Sequence, residues 1–215
     1  MPQSVPASDR PSHPGGFVRH LLLAVQYFTR VPLSARLAAW VGYSPAMMKA
    51  ATAHFPGVGW LVAGVSAAVL ALGWWLLGGQ PALVALVAVV LSMIASAWIT
   101  GAIHEDGLAD VCDGLGGSAD RETAMRIMKD SRLGSYAAMA LVLALLLKVG
   151  LLALLLTGGL GQAVLALLVA HVLSRWAAMG LPQWLPYVGG SQPPRSVAGQ
   201  GEGSKARALV ADLQW

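Results

Sequence analysis

Hydrophobic positions in this chain come in long unbroken blocks rather than at the period of a water-facing helix or strand. The blocks lie at about 58–77, 82–103, 136–157 and 162–181. Each is close to the roughly 20 residues a helix needs to cross the hydrocarbon core of a bilayer. Segments apolar all round predict helices hidden from water on every side. Gly78-Gly79-Gln80-Pro81 and Thr157-Gly158-Gly159 are turn sequences, so the four spans pair into two hairpins. Ahead of them, residues 17–30 form a shorter apolar helix with cationic ends, which reads as interfacial or re-entrant rather than spanning. Val31-Pro32 ends it, and a connecting segment leads to His54-Phe55-Pro56-Gly57 at the mouth of the first span.

Residues 1–16 are rich in Pro, Ser and Gly and are expected to be a disordered tail without the pattern of a cleavable signal. The tail from Pro182 is loop-like, with a short polar helical stretch near Ser204–Leu213. The expected fold is all-α, a polytopic transmembrane bundle.

Composition sharpens this. The chain is 56% hydrophobic and 11% charged, against about 25% charged for a soluble domain. Not one Asp, Glu, Lys or Arg stands between Lys49 and Glu105. The net charge of +4 therefore speaks of topology rather than nucleic acid. Cations precede the first span, lie between the second and third, and follow the fourth, whereas the two short turns carry none. Two hairpins put every cationic loop on one side, the cytoplasmic side by the positive-inside rule. Lys148 and Arg175 fall inside the third and fourth spans, where charge is costly. Lys148 is expected to face an internal partner, which no acid in the other spans supplies. For Arg175 the choice lies between the bundle interior and snorkelling to the interface. A single cysteine, Cys112, excludes an intrachain disulfide and reads as a packed thiol.

The candidate chemistry sits in the polar segment 104–135. Seven of the ten acidic residues lie between Glu105 and Asp130. If the second span continues as a helix, Asp106, Asp110 and Asp113 share one face at i, i+4 and i+7. Three carboxylates so placed repel one another, and a divalent cation would offset that cost. Oxygen ligands without Cys or several His favour Mg²⁺ or Mn²⁺ over Zn²⁺. Glu105 points about 100° off the stripe. His104 reads equally as a base toward a substrate hydroxyl and as a satisfied interfacial histidine. Gly114, Gly116 and Gly117 are expected to break the helix, and Ser118 to cap a new one over 119–129. Arg126, Lys129 and Arg132 follow, and cations beside a carboxylate–metal cluster suit phosphoryl transfer, with lipid headgroups as the other claimant.

HEDGLADVCDG at 104–114 and RIMKDSRLGSY at 126–136 resemble the cobalamin synthase family, the adenosylcobinamide-GDP ribazoletransferases. Weaker likenesses are Phe28-Thr29-Arg30-Val31-Pro32, Phe55-Pro56 and Lys148. The resemblance implies a Mg²⁺-dependent enzyme of the bacterial cytoplasmic membrane, joining adenosylcobinamide-GDP to α-ribazole or its 5′-phosphate with release of GMP. It implies that Asp106, Asp110 and Asp113 serve the metal with His104 nearby. Lys129, Asp130, Ser131 and Arg132 would bind or orient the diphosphate. Lipid is the surrounding partner, a homo-oligomer is compatible, and nucleic acid is not expected. Ala137 departs from the Gly expected there. Family members also run on into further spans and a late Gly-Asp-rich motif. Residues 182–215 are thus expected to be a cytoplasmic tail leading toward such spans, and the 215 residues alone to turn over little. Two rivals fit less well. A CDP-alcohol phosphotransferase would need Arg where Asp110 stands, and a cation transporter would need acidic or amide groups in several spans.

Overall fold

A computed structural model describes residues 15–78 and 82–185. They form nine helices: α1 (Gly15–Phe28), α2 (Ala35–Val41), α3 (Pro45–Thr52), α4 (Phe55–Leu76), α5 (Ala82–Thr100), α6 (Ile103–Gly117), α7 (Arg121–Ile127), α8 (Ser135–Thr157) and α9 (Leu160–Trp184). Helices α4, α5, α8 and α9 are long and apolar enough to cross a membrane. Their bounds follow the hydrophobic blocks with three departures: α4 begins at Phe55, with Pro56 in its first turn where its missing N–H costs nothing, α5 stops at Thr100, and α9 continues to Trp184, past Pro182 where the loop-like tail is expected to begin. The stretch near Ser204–Leu213 and the N-terminal tail through residue 14 lie outside the described residues.

Small residues let the spans approach closely, as membrane bundles require. A Cβ on Gly59 of α4 would stand 2.7 Å from the carbonyl oxygen of His171 on α9. Ser92 of α5 donates its hydroxyl to the Ser66 carbonyl of α4 at 2.7 Å. One apolar cluster, including Leu70, Val89, Leu152, Leu156 and Leu167, joins the four spans. A second, including Leu23, Val41, Met48, Val58 and Ile99, packs α1, α2 and α3 against one end of α4 and α5.

The connecting segment contains two short helices that the hydrophobic blocks did not announce. Ser34 caps α2 by accepting the Leu37 N–H, and Ser44 caps α3 by accepting the Met47 N–H, with Pro45 at the first helical position. Both Ser residues and the Ser-Pro pair were start signals present in the sequence.

Three expectations about the polar segment are corrected. The helix of α5 does not continue into the acidic stripe. It ends in a Schellman motif: the Gly101 N–H bonds to the Trp98 carbonyl and the Ala102 N–H to that of Ala97. Gly101 and Ala102 both take left-handed backbone, φ 69° and 58°. Such a conformation costs a non-glycine residue about 1–2 kcal/mol, and here it turns the chain between two helices. Gly114, Gly116 and Gly117 do not break α6, which runs through to Gly117. The cap of α7 is Asp120, accepting the Thr123 N–H at 2.8 Å, while Ser118 accepts the Asp120 N–H in a local turn. Arg175 is interior, not snorkelling: it is 2% exposed.

Candidate active site on helix α6

The segment Thr29–Pro32 prepares the start of α6. Thr29 is buried, donating its hydroxyl to the Val25 carbonyl and accepting the Val31 N–H. This turns the chain so that the Arg30 N–H reaches the Ile99 carbonyl, an otherwise orphaned acceptor at the end of α5, at 2.7 Å. The Arg30 side chain then lies so close that a Cβ on Gly101 would be 2.6 Å from its Nε. Phe55 completes the junction. It stacks on Phe28 at 4.1 Å, meets His104 edge-on at 6.2 Å, and carries the Arg175 guanidinium 5.7 Å from its ring centre.

Asp106, Asp110 and Asp113 all project from α6, the helix that places them on one face. The Asp110 carboxyl is held above its ordinary pKa, first by desolvation and then by the negative charges of Asp106 and Asp113. Asp110 therefore feels both of the other carboxylates on the stripe. The three are not equivalent, however. Asp113 accepts the Gly134 N–H at 2.6 Å and the Ala137 N–H at 2.8 Å. It thereby caps α8 from outside, satisfying N–H groups with no intrahelical partner and lying at the positive end of the helix dipole. Among the described residues, no three His, Cys, Asp or Glu side chains already converge as a metal cage. Asp106 and Asp110 remain as the two carboxylates without such a structural duty.

The second motif block wraps around the first. A Cβ on Gly114 would meet Met128 at 2.6 Å, one on Gly116 would meet the Tyr136 ring at 2.5 Å, and one on Gly117 would meet Ile127 at 3.1 Å. These glycines serve close packing of α7 and the start of α8 onto α6, rather than helix breaking. Arg126, Lys129, Ser131 and Arg132 are left exposed on the outer side of this wrap. Asp130 grips Arg132 bidentately, from Nε at 3.0 and 3.1 Å and from Nη2 at 2.6 Å. Those hydrogen bonds keep the Asp130 carboxyl below its usual range. The geometry thus gives Asp130 an orienting task toward Arg132.

At the other end of α6, Glu105 faces Lys148 of α8, with Oε1 3.6 Å from Nζ. The partner expected for Lys148 in a span comes instead from the polar helix. Desolvation, then Arg175, lowers the His104 imidazole below its ordinary pKa; Glu105 opposes this and Lys148 adds to it. A groove of ≈ 180 Å³ lies between α6 and α8, lined by His104, Glu105, Leu108, Leu141, Ala144, Leu145 and Lys148. Sequence reasoning missed the cap by Asp113 and the Glu105–Lys148 pair. The off-stripe direction of Glu105 was a signal for the second.

Residues 20–212 match the sequence profile of the family described as cobalamin-5-phosphate synthase. An adenosylcobinamide-GDP ribazoletransferase of Polaromonas naphthalenivorans is 52% identical over 188 residues, 80% of this chain and 66% of the relative. One from Albidiferax ferrireducens is 52% identical over 183 residues, 84% of this chain and 64% of the relative. One from Polaromonas sp. is 49% identical over 208 residues, 91% of this chain and 73% of the relative. The chain thus spans about two thirds of the length of these relatives. No solved structure matches it.

Proposed function

The chain belongs to the cobalamin-5-phosphate synthase family, and on that premise we propose that it transfers the cobinamide phosphate of adenosylcobinamide-GDP to α-ribazole or its 5′-phosphate. The products are adenosylcobalamin, or its phosphate, and GMP. The reaction takes place on the cytoplasmic side of the bacterial cytoplasmic membrane. The observation that carries this is the folding of the two motif blocks onto each other through Asp113, Gly134 and Ala137. That contact joins a face of carboxylates to a loop of exposed cations in one unit.

The residues suit a hard divalent cation. Asp106 and Asp110 would hold it, because they share one face of α6 and the Asp110 carboxyl, raised first by desolvation and then by its acidic neighbours, is one that a cation would stabilise in its charged form. Mg²⁺ is commonly held by one or two carboxylates together with substrate phosphates. When bound, it supplies neutralisation of charge on the diphosphate. Arg126, Lys129 and Arg132 bind the remaining phosphate oxygens, Arg132 with its fork set by Asp130. Ser131 offers a hydroxyl at the same loop. A ribose hydroxyl that is free in both α-ribazole and its 5′-phosphate forms a bond to the phosphorus next to cobinamide as the bond from that phosphorus to the GMP oxygen breaks. His104, kept neutral by its surroundings, takes the hydroxyl proton.

Membranes carrying the chain, continued to the full length of its relatives, test this. They should release GMP from adenosylcobinamide-GDP only when α-ribazole or its phosphate is present, and should release no CMP from a CDP-activated lipid. CMP release instead would favour the CDP-alcohol phosphotransferase reading.

A further inference from the structure

We propose that Glu105 is a positioning residue: its pairing with Lys148 sets the roll of α6 about its axis, and so the direction in which Asp106 and Asp110 face. The catalytic consequence rests on the function proposed above; the structural part does not. Two left-handed residues, Gly101 and Ala102, separate α6 from α5, so the register of α5 is not handed on to α6. Something else must fix that roll.

Helix α6 meets α8 at two polar points, Asp113 with Gly134 and Ala137, and Glu105 with Lys148. Eight residues of α6 separate Glu105 from Asp113, about 12 Å at 1.5 Å per residue, and eleven of α8 separate Ala137 from Lys148, about 16 Å. The helices therefore lie side by side and antiparallel. Asp113 and the close packing of Gly114, Gly116 and Gly117 hold the C-terminal half of α6, and the Glu105–Lys148 pair is the polar contact that holds its N-terminal end.

Glu105 is suited to this because it is the one acid of α6 off the stripe, about 100° from Asp106 and about 140° from Asp110. Lys148 stands thirteen residues into α8, about 20 Å from its start. An ion pair at that depth is screened less than one in water. Across from it, Arg175 bonds through Nη1 to the Nδ1 and carbonyl oxygen of His171, while its buried Nε has no hydrogen-bond partner among the described residues. Moving α6 would take Glu105 away from Lys148 and leave that span cation without its acid.

Cys112, the chain's single thiol, lies half-buried on α6 and reports its roll without any turnover. Its maleimide labelling rate is measured in inverted membrane vesicles for Glu105→Lys, Lys148→Glu, the double exchange and Glu105→Gln. In the full-length protein, kcat and KM are measured in parallel. The single reversals should change the labelling rate and lower kcat by roughly 100-fold, as misplacement near 1 Å can, with KM little changed. The double exchange should return both toward wild type. Glu105→Gln covers the case in which the reversals fail to insert; it should shift labelling in the same direction. Wild-type labelling in Glu105→Gln, or a double exchange no better than the singles, overturns the proposal. If the wild-type protein shows no ribazole transfer, the proposed function fails while the labelling still decides the roll of α6.

Discussion

The carboxylate of Asp113 takes the backbone N–H of Gly134 at 2.6 Å, across a turn of the chain that contains the whole of α7. A Cβ on Gly134 would stand 2.5 Å from Asp113 Oδ1. Sequence spacing alone makes Asp113 one of three equal metal ligands, whereas this contact makes it the joint between the two motif blocks. Gly134→Ala should therefore lower stability by about 1–3 kcal/mol, the usual cost of overpacking. Asp113→Ala should cost about 0.5–2 kcal/mol for the lost cap. Thermal unfolding in detergent or nanodiscs measures both, and an unchanged midpoint in both variants would remove the joint from the account.

Asp106→Asn and Asp110→Asn should behave in the opposite way. Each removes a charge from a repelling group, so stability should hold or rise slightly. Turnover in the full-length protein should fall by at least about 100-fold, as when a group that stabilises transition-state charge is removed. Steady-state rates beside unfolding midpoints decide the matter. Near-normal rates in both variants would reduce the stripe to a solvated acidic face.

The four spans were legible because each is a continuous apolar block, and no tertiary detail alters such a signal. The stripe on α6 was legible for a different reason, the helical spacing of its three Asp residues. What the pattern hid was the break at Gly101 and Ala102: glycine is frequent within membrane helices, so a lone glycine in an apolar run does not mark an end. The contact that belongs with it, from Arg30 to Ile99, joins residues far apart in sequence. Gly114, Gly116 and Gly117 misled because their reason is the bulk of Met128, Tyr136 and Ile127 against them, which local rules do not contain. Lys148 does have an acidic partner, but not in a span: Glu105 lies on a polar helix that folds back along one, and the long-range fold that brings it there is not written in the local pattern.

Arg132 pairs with Asp130 while 87% of its side chain is exposed, so the pair should add little to stability. Arg132→Ala should therefore unfold at nearly the wild-type midpoint. It should weaken the apparent affinity for the diphosphate substrate more than that for α-ribazole. Equal losses for both substrates would point to a general disturbance of the loop.

Topology has its own reporter. The cation distribution predicts segment 104–135 to be cytoplasmic, so Cys112 should resist an impermeant maleimide in intact cells and react in inverted vesicles. Labelling from outside intact cells would reverse the orientation of every span.

The central claim is that the carboxylate face of α6 serves ribazole transfer. The most direct measurement is adenosylcobalamin and GMP formed together, in membranes carrying the full-length protein with adenosylcobinamide-GDP and α-ribazole, across a Mg²⁺ titration and with Asp110→Asn beside wild type. Equal amounts of the two products, rising with Mg²⁺ and lost in Asp110→Asn, are the predicted result. Product formation indifferent to Mg²⁺ and to Asp110, or no product from the wild-type protein, would contradict it.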